Sequence, residues 1–229
     1  MKVRSARDYK EFLRIGKWFV GLPEPLQEAL LAAGLVRDLG ADERLFSRGD
    51  EPTGLFALVD GAIRVSGTSE SGREALLTLL EPPAWFGEIS VFDGQPRTHD
   101  AVSDGPSRVV QVPQAPLLQL LDEHPHWWRD LGLLAAGKLR LAFIAMEDMV
   151  LLPIAQRLAR RLSLMAEGYG ERSSGRRAVE VSQDQLAMMV STSRQTANQV
   201  LKEWEQKGLI RLAYGSIEIL DLDGLRRLF

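Results

Sequence analysis

Two short stretches of the sequence hold residues whose types and spacing could do chemistry. In the first, Phe86-Gly87-Glu88-Ile89-Ser90-Val91-Phe92-Asp93-Gly94-Gln95-Pro96-Arg97-Thr98, a glycine opens a turn and a carboxylate follows it. An Arg-Thr pair then closes a glycine-containing loop. Backbone amides freed in such a turn cradle a phosphate, the Arg97 guanidinium neutralises it, and the Thr98 hydroxyl adds a donor. A phosphate would repel Glu88, so this carboxylate should face a neutral group with donors, such as a ribose hydroxyl. A salt bridge between Glu88 and Arg97 that merely pins the loop uses the same residues equally well.

The second stretch lies near the C-terminus. Ser182 can cap a helix, and Gln185 three residues later completes a capping box; Leu186, Met189 and Val190 supply the buried face. The short turn Ser191-Thr192 leads to a second N-cap, Ser193, and a helix over Arg194–Lys207 with Val200, Leu201 and Trp204 facing inward. Gly208 ends that helix. Two short strands, around Leu209–Leu212 and Ser216–Leu220, are joined by Tyr214-Gly215, and the whole reads as a winged helix-turn-helix. Arg194, Gln195, Asn198, Gln199 and Lys202 occupy the outward face of the second helix. Arg pairs bidentately with guanine and Gln or Asn with adenine, while the helix N-terminus at Ser193 suits a phosphate. A helical hairpin with an ordinary polar face is the plainer reading; the capped turn, the wing and the local basic balance favour DNA. Ser191 stands where such turns often carry glycine, so a positive φ costing roughly 1 kcal/mol is expected there.

The elements that must position these groups follow from periodicity. Residues 1–40 read as helical, with Phe12, Ile15, Phe19, Leu22, Leu26, Leu30 and Leu31 at helical spacing and Pro23 and Pro25 separating two short helices. From about Leu45 the texture changes to short apolar runs, Leu55–Val59, Ala62–Ser66, Ala75–Leu79 and Arg108–Val112. Turn signals at Arg48-Gly49-Asp50, Asp60-Gly61, Glu70-Ser71-Gly72 and Asp104-Gly105-Pro106 punctuate them. Segment 45–112 is therefore β, an antiparallel sandwich or barrel. Helix returns over Gln114–Asp122 and again from about His126 to Pro153. In the long helix Gly132, Ala135, Leu139, Ala142, Met146 and Met149 form a heptad seam beside a second stripe, Leu131, Leu134, Leu141 and Ile144. One face could cover the β region and the other a second copy of the chain; a core-facing stripe of a single chain is the alternative. A basic helix, Ile154–Met165, and a linker-like loop, Glu167–Gly175, complete the chain before the C-terminal constellation.

Composition narrows the classes. Hydrophobic residues make up 45% and charged residues 26% of the 229, an ordinary globular balance. Cysteine is absent, which removes disulfides, thiolate metal sites, iron–sulfur clusters and cysteine nucleophiles and fits a reducing cytoplasm. With three histidines, a metal enzyme would have to lean on carboxylates, and no Walker loop, nucleophile elbow or metal-ligand cluster occurs. No catalytic or metal-ligating residue is assigned, and a nucleotide-acting enzyme is a remote alternative. Neither a charged-then-apolar leader nor an apolar run near the roughly 18 residues of a membrane span is read at the N-terminus or along the sequence, so none is expected. Residues 1–153 carry 16 Lys and Arg against 22 Asp and Glu, while residues 154–229 carry 12 against 9. The net charge of −3 thus hides a basic final third, rich in Arg157, Arg160, Arg161, Arg172, Arg176 and Arg177. Basic segments attract polyanions.

In the order of these pieces the whole chain resembles the cyclic-AMP receptor protein/fumarate-nitrate regulator family of bacterial transcription factors. The resemblance rests on the Gly-Glu-Ile-Ser … Arg-Thr cassette, the long helix and the winged helix with Ser193-Arg194-Gln195-Thr196 at its start. It implies an α+β fold: a β-roll of the cyclic-nucleotide-binding type (a double-stranded β-helix) over 1–125, a dimerisation helix over 126–153 and a winged helix-turn-helix over 154–229. It implies that Gly87, Ile89 and Ser90 contribute cassette contacts, that Glu88 takes a ribose 2′-hydroxyl and that Arg97 and Thr98 hold the phosphate. Arg194, Gln195 and Gln199 match base-reading positions, and Ser193 and Thr196 match phosphate contacts; Asn198 and Lys202 share their face. The implied effector is cyclic AMP or another cyclic nucleotide, with no tightly bound cofactor. The implied partners are palindromic double-stranded DNA, a second copy and RNA polymerase, in the cytoplasm, with no membrane.

Three departures bear on specificity. Ala142 and Phe143 are read at the helix positions where cyclic-AMP-binding members place hydroxyls toward the adenine, so stacking on Phe143 or another base is expected. His99-Asp100 follows Arg97-Thr98 where alanine is usual, and haem ligation by a histidine has little support. Gln195 and Gln199 replace charged readers, so the half-site should differ. A ligand-independent regulator, or one tuned to a cyclic dinucleotide, is the alternative within the same class.

Overall fold

The computed structural model describes residues 5–69, 72, 74–170 and 178–229. Part of the Glu70-Ser71-Gly72 turn, Arg172, Arg176, Arg177 and the end of the expected linker lie outside the described residues. The chain divides into two compact units, one of residues 1–67 and 77–139 and the other of residues 68–76 and 140–229. The division falls within the longest helix.

The first unit opens with a single 3-10 turn, Ala6–Tyr9, and three short helices, α1 (Lys10–Leu13), α2 (Lys17–Val20) and α3 (Glu24–Ala33). Pro25 sits in the first turn of α3, where its missing N–H costs nothing. Eight strands follow: β1 (Leu35–Leu39), β2 (Arg44–Phe46), β3 (Gly54–Asp60), β4 (Ile63–Thr68), β5 (Glu74–Leu80), β6 (Ala84–Phe86), β7 (Asp100–Ser103) and β8 (Ser107–Pro113). A five-residue helix, α4 (Ile89–Asp93), interrupts them between β6 and β7, and α5 (Gln114–Glu123) follows β8. The strands form two sheets, ordered β1-β8-β3-β6 and β2-β7-β4-β5. The pairs of β8 with β1 and β3, of β3 with β6 and of β7 with β2 and β4 are antiparallel.

Strand β3 explains why this region reads as a continuous apolar run rather than an alternation. Leu55, Ala57 and Val59 pack with Phe19, Leu26, Leu30, Leu117, Trp127 and Leu131, the helical side of the core. Phe56 and Leu58 point the other way, against Leu45, Ile63, Phe86 and Ala101 between the sheets. A strand buried on both faces has no polar side to show. The β-roll is thus a sandwich with helices over one outer face.

Strand β1 is where the sequence reading fails. Strands were expected from about Leu45, yet β1 starts at Leu35, because its residues are mostly exposed or half-buried and the ladder to β8 holds it. Without a buried face a strand leaves no hydrophobic signature. Strands β6 and β7 and helix α4 are too short to announce themselves.

Helix α6 (Trp127–Leu151) runs as expected without a break. Leu131 and Leu134 are buried in the first unit, whereas Leu139, Phe143, Met146, Met149, Val150 and Leu151 are exposed. The second unit continues with α7 (Ile154–Ala166), β9 (Ala178–Val179), α8 (Gln183–Met189), α9 (Arg194–Gln206), β10 (Ile210–Ala213), β11 (Ser216–Ile219) and α10 (Leu222–Arg226). Its strands pair in the order β10-β11-β9, and its interior is built from Leu158, Leu162, Leu186, Leu201, Trp204, Ile210, Ile217 and Leu225. On α9 the buried residues are Ala197, Leu201 and Trp204; Val200, expected inside, is only half-buried. Strand β9 and helix α10 were not foreseen. Among the described residues no helix is long and apolar enough to cross a membrane.

Candidate functional site

Gly87 follows β6 at φ +92° and turns the chain into α4, whose first residues are Ile89 and Ser90. Two constraints fix glycine there. The left-handed backbone is strained for other residues, and a Cβ would stand 2.9 Å from Arg97 Nη1 and 3.1 Å from the Gly54 carbonyl.

Arg97 arrives beneath this turn, only 4% exposed. Its Nη1 donates to the Gly87 carbonyl at 2.9 Å, and its Nη2 donates to the Gly54 carbonyl at 2.7 Å and the Thr53 hydroxyl at 3.3 Å. The guanidinium lies over the rings of Phe46, 4.5 Å from the centroid, and Phe56, 5.5 Å away. Its Nε is buried without a hydrogen-bond partner. Among the described residues no carboxylate stands within ion-pair distance of Arg97. Burial pushes the guanidinium down from its ordinary value, and the charges of Glu88 and Asp50 oppose that shift. The arginine stays charged. A buried cation held by carbonyls, one hydroxyl and ring faces, without an ion-pair partner, is chemically suited to meet an anion.

Glu88 is also buried, at 3% exposure, but its partner is not Arg97. Its Oε2 accepts from Lys138 Nζ on α6 at 2.6 Å. The loop-pinning Glu88–Arg97 salt bridge that the sequence left open does not form: the carbonyls hold Arg97, and Lys138 holds Glu88. Sequence reasoning missed Lys138. Its one signal is that it is the first charged residue after the uncharged run Leu131–Gly137.

The remaining cassette residues differ in exposure. Ser90 is buried and its carbonyl accepts from Gln114 Nε2 at 3.4 Å, whereas Ile89 is half exposed. Thr98 is exposed, its hydroxyl 2.9 Å from His99 Nδ1. Burial, with the Arg48 charge, pushes the His99 imidazole below its ordinary value, against the Asp100 carboxylate. Ala142 and Phe143 are exposed on α6; from the first turns of that helix the Trp128 ring lies 5.3 Å from that of Phe92, and further along Lys138 bonds Glu88.

In the second unit the local chemistry read from the sequence is present. The Ser182 hydroxyl accepts from the Gln185 amide at 3.2 Å while Gln185 Oε1 accepts from the Ser182 amide at 2.9 Å. The Ser193 hydroxyl accepts from the Thr196 amide at 3.0 Å and lies 2.8 Å from the Thr196 hydroxyl. Between these caps Ser191 adopts φ +53°, the strained conformation anticipated for it. Arg194, Gln195, Gln199 and Lys202 are exposed along one side of α9. Arg194 lies 3.2 Å from Asp184, an exposed pair that screening makes weak. Asn198 departs from the expectation of a free polar face: it is half-buried, and its amide donates to Gln183 Oε1, tying α9 to α8. At the wing tip Tyr214 is fully exposed, and Arg211 pairs with Glu218 across the hairpin at 2.8 Å.

Comparison with known proteins follows the same division. The model of the cyclic nucleotide-binding domain matches residues 36–124, and that of the Crp-like helix-turn-helix domain matches residues 156–228. The chain is 29% identical over 192 residues to a CRP-like cAMP-activated global transcriptional regulator of Mycobacterium tuberculosis, covering 83% of this chain and 86% of that one. It is 28% identical over 176 residues to the cyclic AMP receptor protein of Thermus thermophilus, covering 76% and 79%. Among solved structures, FixK2 from Bradyrhizobium japonicum superposes with a TM-score of 0.76 at 19% identity, over 85% of this chain and 96% of that one.

Proposed function

Because the chain belongs to the cyclic-AMP receptor protein/fumarate-nitrate regulator family of transcription regulators, we propose that it is a homodimeric, sequence-specific DNA-binding protein controlled by a cyclic nucleotide. The observation that carries the ligand reading is Arg97, a buried guanidinium with an orphaned Nε and no carboxylate partner among the described residues. An anionic phosphodiester supplies the missing charge. Around it Thr98 adds a hydroxyl, the turn at Gly87, Ile89 and Ser90 adds amides, and Glu88 accepts from a sugar hydroxyl. Cyclic AMP is the effector that the Mycobacterium relative's name supports.

The exposed apolar side of α6, including Leu139, Phe143, Met146, Met149 and Val150, supports pairing of two copies. Two copies related by a two-fold axis present two α9 helices, which read a palindrome when they stand roughly 34 Å apart, one turn of DNA. Ser193 and Thr196 hold phosphate, and Arg194, Gln195, Gln199 and Lys202 face the groove. A ligand controls this only by binding one arrangement of the pair more tightly than the other. The same reading places the protein in the cytoplasm, in contact with RNA polymerase and without catalytic residues.

Calorimetry with cyclic AMP on wild type and Arg97→Ala tests the receptor. Loss of a charge-assisted contact weakens binding by roughly 1.5–3 kcal/mol, and unchanged affinity removes the role of Arg97. A second reading, a regulator that needs no ligand, is favoured by the Glu88–Lys138 ion pair, which ties α6 to the cassette by itself. Equal operator affinity with and without cyclic AMP in a gel-shift titration selects it.

A further inference from the structure

Lys138 is the charged α6 side chain that meets the cassette, through Glu88. Its ammonium sits 2.6 Å from a carboxylate only 3% exposed, while its own side chain keeps 35% of its surface in solvent. We infer that Lys138 sets the sugar selectivity of the ligand site: it is a built-in counter-ion for Glu88 that does the work a ribose 2′-hydroxyl would otherwise do, so ribo and 2′-deoxyribo cyclic nucleotides bind almost alike. The inference rests on the reading of Arg97 and Glu88 as phosphate and sugar receptors.

Charge compensation decides how much the hydroxyl matters. A buried carboxylate without a cation would depend on the ligand hydroxyl for its strongest hydrogen bond, and a hydrogen bond to an uncompensated charge discriminates about tenfold or more against a ligand that lacks the donor. Here the ammonium already holds Oε2 and neutralises the charge. A ligand hydroxyl then meets a compensated acceptor, and its absence leaves no buried charge unpaired. The charge count agrees. Among the three side chains Glu88, Arg97 and Lys138 the sum is one positive charge, with Asp50 acting on Arg97 from beyond ion-pair distance. The site therefore selects for the phosphate and is indifferent to the hydroxyl beside it.

The test is calorimetry of cyclic AMP and 2′-deoxy cyclic AMP on the full chain as wild type, Lys138→Met and Lys138→Arg. Wild type and Lys138→Arg should prefer the ribonucleotide by less than about threefold, and Lys138→Met by about tenfold or more, the range set by a charge-assisted hydrogen bond. A wild-type preference of tenfold or more overturns the inference and leaves the phosphate reading standing. A Lys138→Met ratio equal to the wild-type ratio overturns it too. If Lys138→Met does not fold, Lys138→Gln decides on the same two nucleotides: the inference expects a preference of about tenfold or more for the ribonucleotide, and a ratio equal to that of wild type refutes it. If wild type binds neither nucleotide, the phosphate reading itself fails and the inference with it.

Discussion

A side chain on Gly87 and the guanidinium of Arg97 exclude each other: a Cβ on Gly87 would stand 2.9 Å from Arg97 Nη1, the same nitrogen that donates to the Gly87 carbonyl at 2.9 Å. The turn and the cation are therefore one device. Gly87→Ala forces an alanine to φ +92° and displaces the guanidinium. Strain alone should lower stability by about 1–2 kcal/mol, read by urea denaturation. The displaced cation should weaken cyclic AMP binding by about tenfold, the lower bound for a charge-assisted contact. Unchanged binding would mean that Arg97 tolerates the shift and the coupling is loose.

Met146 is 63% exposed on the apolar side of α6. Met146→Glu should leave the protein as single copies in sedimentation equilibrium at concentrations where wild type pairs. Burying one methionine contributes roughly 1.5–3 kcal/mol, and two-fold symmetry counts the site twice. Wild type and variant sedimenting alike as pairs would move the interface elsewhere.

Ser191 holds φ +53° in the turn between α8 and α9. Ser191→Gly removes that strain and should stabilise the chain by about 0.5–1 kcal/mol, since glycine's greater freedom when unfolded takes back part of the gain. Chemical denaturation measures it. A destabilised variant would mean that the serine side chain contributes a contact outweighing the backbone cost.

His99 is held below its ordinary value, first by burial and then by Arg48. Its neutral form is the one the fold keeps, so its contribution to stability is full above the ordinary value of 6.5 and is lost as pH falls through 6.5 toward the lower folded-state value. His99→Gln, which cannot titrate, should lose less stability than wild type over that acid interval and the same amount above it. Parallel stability profiles for the two proteins would show that the imidazole is solvated like a free one.

What the sequence disclosed, and what it withheld, follows from where each signal resides. The caps at Ser182 and Ser193 and the strained turn at Ser191 are local, set by residues within a few positions, so they could be read directly. The run Leu55–Val59 was legible because double burial removes polar residues. Strand β1 was not, because its order comes from hydrogen bonds to β8, about 70 residues away in the ladder of Asp38 with Arg108. The partner of Glu88 was hidden for the same reason. Lys138 lies 50 residues along the chain, and nothing in the spacing of Gly87, Glu88 and Arg97 points to it. Asn198 looked like a groove-facing amide because helical periodicity knows the face of α9 but not what α8 places against it.

Of the five tryptophans, Trp204 alone lies in the second unit, and it is 3% exposed within α9; the other indoles, Trp18, Trp85, Trp127 and Trp128, belong to the first. The chromophores are thus divided four to one between the two units. A variant with phenylalanine at the four other positions would emit only from α9. Its red shift on denaturation would report the melting of that half by itself, to be set against the signal of the complementary Trp204→Phe protein.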